Sequence, residues 1–147
     1  MLGICLWLQL NPSHNLNLII SKLSEVFGTN NFDAHITLEY NISENEYNTF
    51  KKQYTNFFKE NQVLKKYGEL YIDKKNGFFA VKQDYISFNS LDRPFHISLA
   101  YKNKPFNDSE LYFLKKCKID DFIYVKDASI KLWNCNSDYS IEWKQIN

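Results

Sequence analysis

From Gly3 to Leu10 the chain alternates, with Ile4, Leu6, Leu8 and Leu10 on one face of a predicted strand and Cys5, Trp7 and Gln9 on the other. The leucine face is expected to be core, which turns Trp7 toward a groove on the opposite side. Asn11-Pro12-Ser13-His14 reads as a turn with His14 exposed in it. Leu16, Ile19, Ile20, Leu23 and Phe27 then recur at helical spacing. After a loop over Gly28 to Phe32, a strand is predicted from His35 to Tyr40. A second helix follows, with an apolar stripe of Tyr47, Phe50, Tyr54, Phe57 and Phe58 and a solvated side carrying Lys51, Lys52, Lys59 and Glu60.

Residues Glu69 to Lys82 read as two strands joined at Lys74-Lys75-Asn76-Gly77, because Asn-Gly accepts positive φ, and Asp84 to Ser90 continues or pairs again. Asp92-Arg93-Pro94 punctuates the chain before a strand over His96 to Tyr101, with Arg93 on a loop surface. A third helix, capped by Asp108 or Ser109, runs to about Lys118. Phe122 to Trp133 and Tyr139 to Ile146 read as a closing hairpin, with Ala128, Ile130 and Leu132 on one face and Ser129, Lys131 and Trp133 on the other. This order of elements gives an α+β fold with mostly antiparallel sheets. With 147 residues and no linker or low-complexity segment, one domain over residues 1–147 is expected.

Two of the strands open with one pattern: His35-Ile36-Thr37-Leu38 and His96-Ile97-Ser98-Leu99. Within a strand the imidazole and the hydroxyl two residues on share a face, roughly 7 Å apart, while the apolar residues point to the core. Two of the chain's three histidines open this motif. Each copy ends in tyrosine (Tyr40, Tyr101), passes a polar loop and enters a helix bearing a lysine pair (Lys51-Lys52, Lys115-Lys116), as an internal duplication would leave. If the copies face each other, two imidazoles flank a spot that two hydroxyls also reach, an arrangement suited to phosphodiester chemistry. Strand parity places Tyr40 and Tyr101 on the core face, and only a bulge or strand end would bring Tyr101 to the motif face. Glu39 falls on the groove face by the same parity. The spacing of His35, Glu39 and His96 is not that of a zinc motif, so neither metal nor other cofactor is expected.

A hydrophobic content of 44% with 17% aromatic residues predicts a globular core rich in Phe and Tyr. The net charge of +1 lacks the basic field that duplex nucleic acid calls for, leaving a small nucleotide or short oligonucleotide as the expected partner. Cys5, Cys117 and Cys135 form no CxxC and are odd in number, which argues against a disulfide framework and for a reducing compartment. The opening apolar run has no basic flank, and nothing approaches the ~20 residues of a membrane span. A cytoplasmic monomer without membrane contact is the expectation.

The duplicated motif resembles that of the 2H phosphoesterases, named for two H-x-[T/S] motifs. Within that superfamily the chain is similar to the 2′,3′-cyclic nucleotide phosphodiesterases in Leu6-Trp7-Leu8 before Pro12, in Gly77-Phe78-Phe79, in His96-Ile97-Ser98-Leu99-Ala100-Tyr101 and in Tyr139-Ser140-Ile141-Glu142-Trp143. The resemblance implies a bilobal fold of two pseudo-symmetric lobes, with two antiparallel sheets, helices outside and a central cleft. It implies His35 and His96 as the acid/base pair, Thr37 and Ser98 as phosphate ligands, and Tyr101 beside the phosphate site. Trp7 and Trp133 are further expected substrate contacts. The implied reaction is metal-independent hydrolysis of a 2′,3′-cyclic nucleotide, or of ADP-ribose cyclic phosphate, to a nucleoside 2′-phosphate type product. Degradation of 2′,5′-linked or cyclic oligonucleotide immune signals is an alternative enzyme reading. A non-catalytic RNA-end or nucleotide-binding module is the other, and the intact histidines and hydroxyls of both motifs weigh against it.

Overall fold

The computed structural model describes residues 3–66, 68–83, 95–136 and 143–146. In chain order the elements are β1 (Gly3–Leu10), α1 (Asn15–Phe27), β2 (His35–Glu39), α2 (Glu44–Glu60), β3 (Val63–Lys65), β4 (Tyr71–Asp73), β5 (Phe78–Lys82), β6 (His96–Tyr101), α3 (Asp108–Lys115), β7 (Phe122–Tyr124), β8 (Ala128–Cys135) and β9 (Lys144–Ile146), with a 3-10 turn over Val125–Asp127. The expected α+β class is observed. The predictions for 84–94 and 139–142, Arg93 included, lie outside the described residues.

Seven strands form one sheet in the order β4-β5-β6-β2-β1-β8-β9, and β3 pairs with β7 in a second, small sheet. Every pairing is antiparallel. The two motif strands, expected to come from separate sheets, are instead neighbours at the centre of the large one. Joining edge to edge pairs Ile36 with Ile97 and leaves both histidine faces on the same side. The connections around this pair correspond in part. Each motif strand is flanked by the strand that precedes it, and the helix that follows it leads into one strand of the small sheet.

The three described helices cover one face of the large sheet. There the leucine face of β1 packs with Ile36, Leu38, Val81, Ile97 and Leu99 against Leu16, Ile20 and Leu23 of α1, Tyr54 and Phe58 of α2 and Leu114 of α3. Leu64 and Ile123 of the small sheet join the same core. The helix starts are specified locally. Ser43 with Glu46, and Asn107 with Glu110, form capping boxes, so the third helix is capped by Asn107, one residue before the predicted Asp108. His14 is more than a loop residue, since its Nδ1 accepts from Leu16 N at 3.1 Å and caps α1. No described helix is long and apolar enough to cross a membrane.

Gly77 closes the β4–β5 turn at φ 67°, and a Cβ there would collide with the carbonyl oxygen of Lys104. Both the left-handed backbone and the collision penalise any side chain. Gly77→Ala is expected to lower stability by on the order of 2 kcal/mol or more, read from urea denaturation. A midpoint unchanged from wild type would contradict this account of the turn.

Candidate active site

The pairing of Ile36 with Ile97 places two fully buried side chains in the core. Continued by one residue on each side, that antiparallel register sets His35 across from Ser98 and Thr37 across from His96, all four on the face away from the helices. The imidazoles therefore occupy one diagonal of a rectangle and the hydroxyls the other. Diagonal neighbours of this kind stand roughly 7–8 Å apart, which leaves room between the rings for one phosphoryl group.

Both motif strands carry a bulge at their fourth position. Leu6 pairs with Glu39 but Trp7 with Thr37, so Leu38 is the extra residue in β2; Phe79 pairs with Ala100 but Ala80 with Ser98, so Leu99 is the extra residue in β6. A bulge reverses the parity of all that follows. Tyr101, expected on the core face, is thereby brought to the motif face, where its hydroxyl donates to Ser98 Oγ at 2.6 Å. Tyr40 likewise packs with the Trp7 cluster. Glu39 turns the other way, into the helix side, and accepts from the Tyr54 hydroxyl at 2.7 Å. The groove-facing position expected for Glu39 is corrected accordingly. Among the described residues no three His, Cys, Asp or Glu side chains gather as a metal site.

His35 is buried and doubly constrained. Its Nδ1 lies 2.7 Å from the Asp33 carbonyl oxygen, which can only accept, so Nδ1 carries the proton and Nε2 presents its lone pair. Its ring stacks on Trp7 with centroids 3.4 Å apart and planes inclined by 8°. Burial is the main cause that pushes its pKa down to about 4; the Asp33 hydrogen bond opposes this, and the neighbouring His96 adds to it. His96 is half-buried and meets the edge of Phe78 at 5.9 Å. Ser98 is buried, and because it accepts from Tyr101 its own proton is available for a ligand. Burial raises the Tyr101 pKa against the opposing Ser98 hydrogen bond, which keeps the phenol protonated.

Trp7 lies on the motif face, as its strand parity predicts, but it fills a packed layer there rather than standing open to a ligand. It is 2% exposed, and Trp133 stacks on it at 4.3 Å from the β8 side while His35 stacks from the β2 side. Both indole faces are thus occupied by protein, leaving no platform for a base. Trp7 instead holds the His35 ring. Trp133 is half-buried, its Nε1 donates to Gln9 Oε1 at 2.9 Å, and it forms the wall on that side. Sequence reasoning missed two contributors. The Asp33 carbonyl is backbone and leaves no residue signal, whereas Phe78 was legible as part of the aromatic strand but not as a neighbour of His96.

The depressed His35 pKa carries a stability consequence. Between about pH 4 and the ordinary value of 6.5 the unfolded chain binds a proton that folded His35 resists, so stability is full above this window and falls as pH drops through it. The loss is on the order of 3 kcal/mol. Thermal melts of wild type and His35→Asn at pH 7 and pH 4.5 should show a smaller pH effect in the variant. Equal effects in both proteins would count against burial of a neutral imidazole.

No family profile matches the chain, and no curated protein matches it.

Proposed function

We propose that this chain is a two-histidine phosphodiesterase that opens a 2′,3′-cyclic phosphate of a nucleotide, or the related cyclic phosphate of ADP-ribose, without a metal. The diagonal rectangle of two imidazoles and two hydroxyls on adjacent central strands carries the reading. His35 is the base: with a pKa of about 4 its protonated form makes up only about one part in a thousand at pH 7, which unsuits it to be the acid. Its Nε2 takes a proton from water as the water oxygen bonds to phosphorus. The bond from phosphorus to one ribose oxygen breaks, and protonated His96 on the opposite diagonal corner gives that oxygen its proton. Ser98 and Thr37 donate to the non-bridging oxygens, whose charge grows in the transition state. Tyr101, donating to Ser98, fixes the hydroxyl's remaining proton toward the phosphate. Proton exchange with solvent returns both imidazoles to their starting states.

An oligonucleotide substrate is the second reading. It is favoured by Lys82 and Lys131, which share the motif face in register with His96 and Trp7 respectively and extend positive charge to both sides. Turnover of 2′,3′-cyclic AMP is expected to survive dialysis against EDTA, since both proton-transfer groups come from the chain. Activity lost in EDTA and restored by zinc or manganese would overturn the mechanism. Comparing that substrate with a 2′,5′-oligoadenylate separates the two enzyme readings, and binding without turnover of either would identify a nucleotide-binding module.

A further inference from the structure

The helix layer covers the large sheet unevenly. α1 packs on β6, and α3 is tied to the end of β6 by the Lys102–Glu110 ion pair. On the other half α2 works alone, tied to β2 through Tyr54. Beyond β1, the apolar face of β8 is therefore incompletely covered, and Ile130 and Leu132 are only half-buried. Between the C-terminal half of α2, the small sheet and β8 lies a groove of about 620 Å³, within the ordinary range for small-molecule sites. It lies on the helix side of the sheet, away from the histidines.

The floor of the groove is aliphatic and aromatic, from Leu8, Phe58, Val125 and Ile130. Part of its polar lining is committed elsewhere, while the hydroxyls of Tyr124 and Ser129 also line it. Thr55 Oγ1 donates to the Lys51 carbonyl at 2.7 Å, and Gln62 Nε2 to the Lys59 carbonyl at 3.2 Å. Two exposed ammonium groups flank it, Lys59 on one bank and Lys126, set over the Tyr124 ring at 5.7 Å, on the other, and neither joins a described ion pair. No acidic residue among the described residues lines the groove. A ligand for such a site needs a long apolar body, one anionic end and few other hydrogen-bonding groups. A nucleotide suits it less well, because the floor beneath its base is aliphatic and aromatic.

We propose that this groove binds an unbranched aliphatic carboxylate, the chain lying along Leu8, Phe58 and Ile130 and the carboxylate meeting Lys59 and Lys126. Calorimetric titration of the full chain with octanoate, decanoate and dodecanoate, below their micellar concentrations, tests it. Affinity should rise about fourfold for each added methylene. Dodecanol and AMP should each bind at least about tenfold more weakly than dodecanoate. Lys59→Ala with Lys126→Ala, both at exposed positions, should weaken dodecanoate roughly tenfold without altering the fold. His35→Ala should leave that binding unchanged. Affinity independent of chain length, equal binding of dodecanol, or indifference to the two lysines would each overturn the assignment, as would no heat of binding with any carboxylate. None of these outcomes depends on whether the histidine face has phosphodiesterase activity.

Discussion

His35→Ala and His96→Ala are each expected to reduce hydrolysis of 2′,3′-cyclic AMP by about 10²-fold or more while leaving the fold intact. In the proposed mechanism each imidazole acts chiefly in the transition state, whereas ground-state affinity for the phosphate is shared with Thr37, Ser98 and the walls of the site, so KM should move far less than kcat. The double substitution should cost much less than the product of the single effects, because a base without its acid does little. The pH profile assigns the roles. Turnover in the wild type should rise as His35 loses its proton near pH 4. Residual activity of His35→Ala should lack this rising limb, and that of His96→Ala should keep it. A folded single variant with near-wild-type turnover would show that the duplicated motif has been misread.

Trp7→Ala is expected to have the largest effect on stability, about 3–5 kcal/mol, because it empties a fully buried site between His35 and Trp133. The pH profile distinguishes a clamp from mere packing. Removing the indole admits water to His35 and relieves the burial that depresses its pKa, so the rising limb should move from about 4 toward the ordinary value of 6.5. Trp7→Phe retains a stacking ring and should shift the limb less. Loss of stability with the limb unmoved would reduce Trp7 to a packing residue.

The motif face was legible in the sequence because strand parity fixes it. His35 with Thr37, His96 with Ser98, and Ser129, Lys131 and Trp133 all fall on the side that alternation predicts. Parity fails where a residue is inserted into the ladder. Leu38 and Leu99 are ordinary apolar residues with no glycine to betray a bulge, so Glu39, Tyr40 and Tyr101 were each expected on the wrong face. The pairing of β2 with β6 was also out of reach, since two strands with identical patterns do not say which edges meet. β3 escaped prediction because three residues between a helix and a loop carry no period. The bases for α2 and α3 were clearer, although the cap of α3 lay one residue earlier than expected.

The proposed reaction is the opening of a cyclic phosphodiester by two imidazoles on adjacent strands, without metal. The most direct test follows 2′,3′-cyclic AMP by phosphorus NMR in the presence of EDTA with folded wild type and with the His35→Ala, His96→Ala double variant. The account predicts conversion of the cyclic signal to a single phosphomonoester by wild type, with the double variant slower by about 10²-fold or more. A cyclic signal that decays at the same rate with both proteins would contradict it.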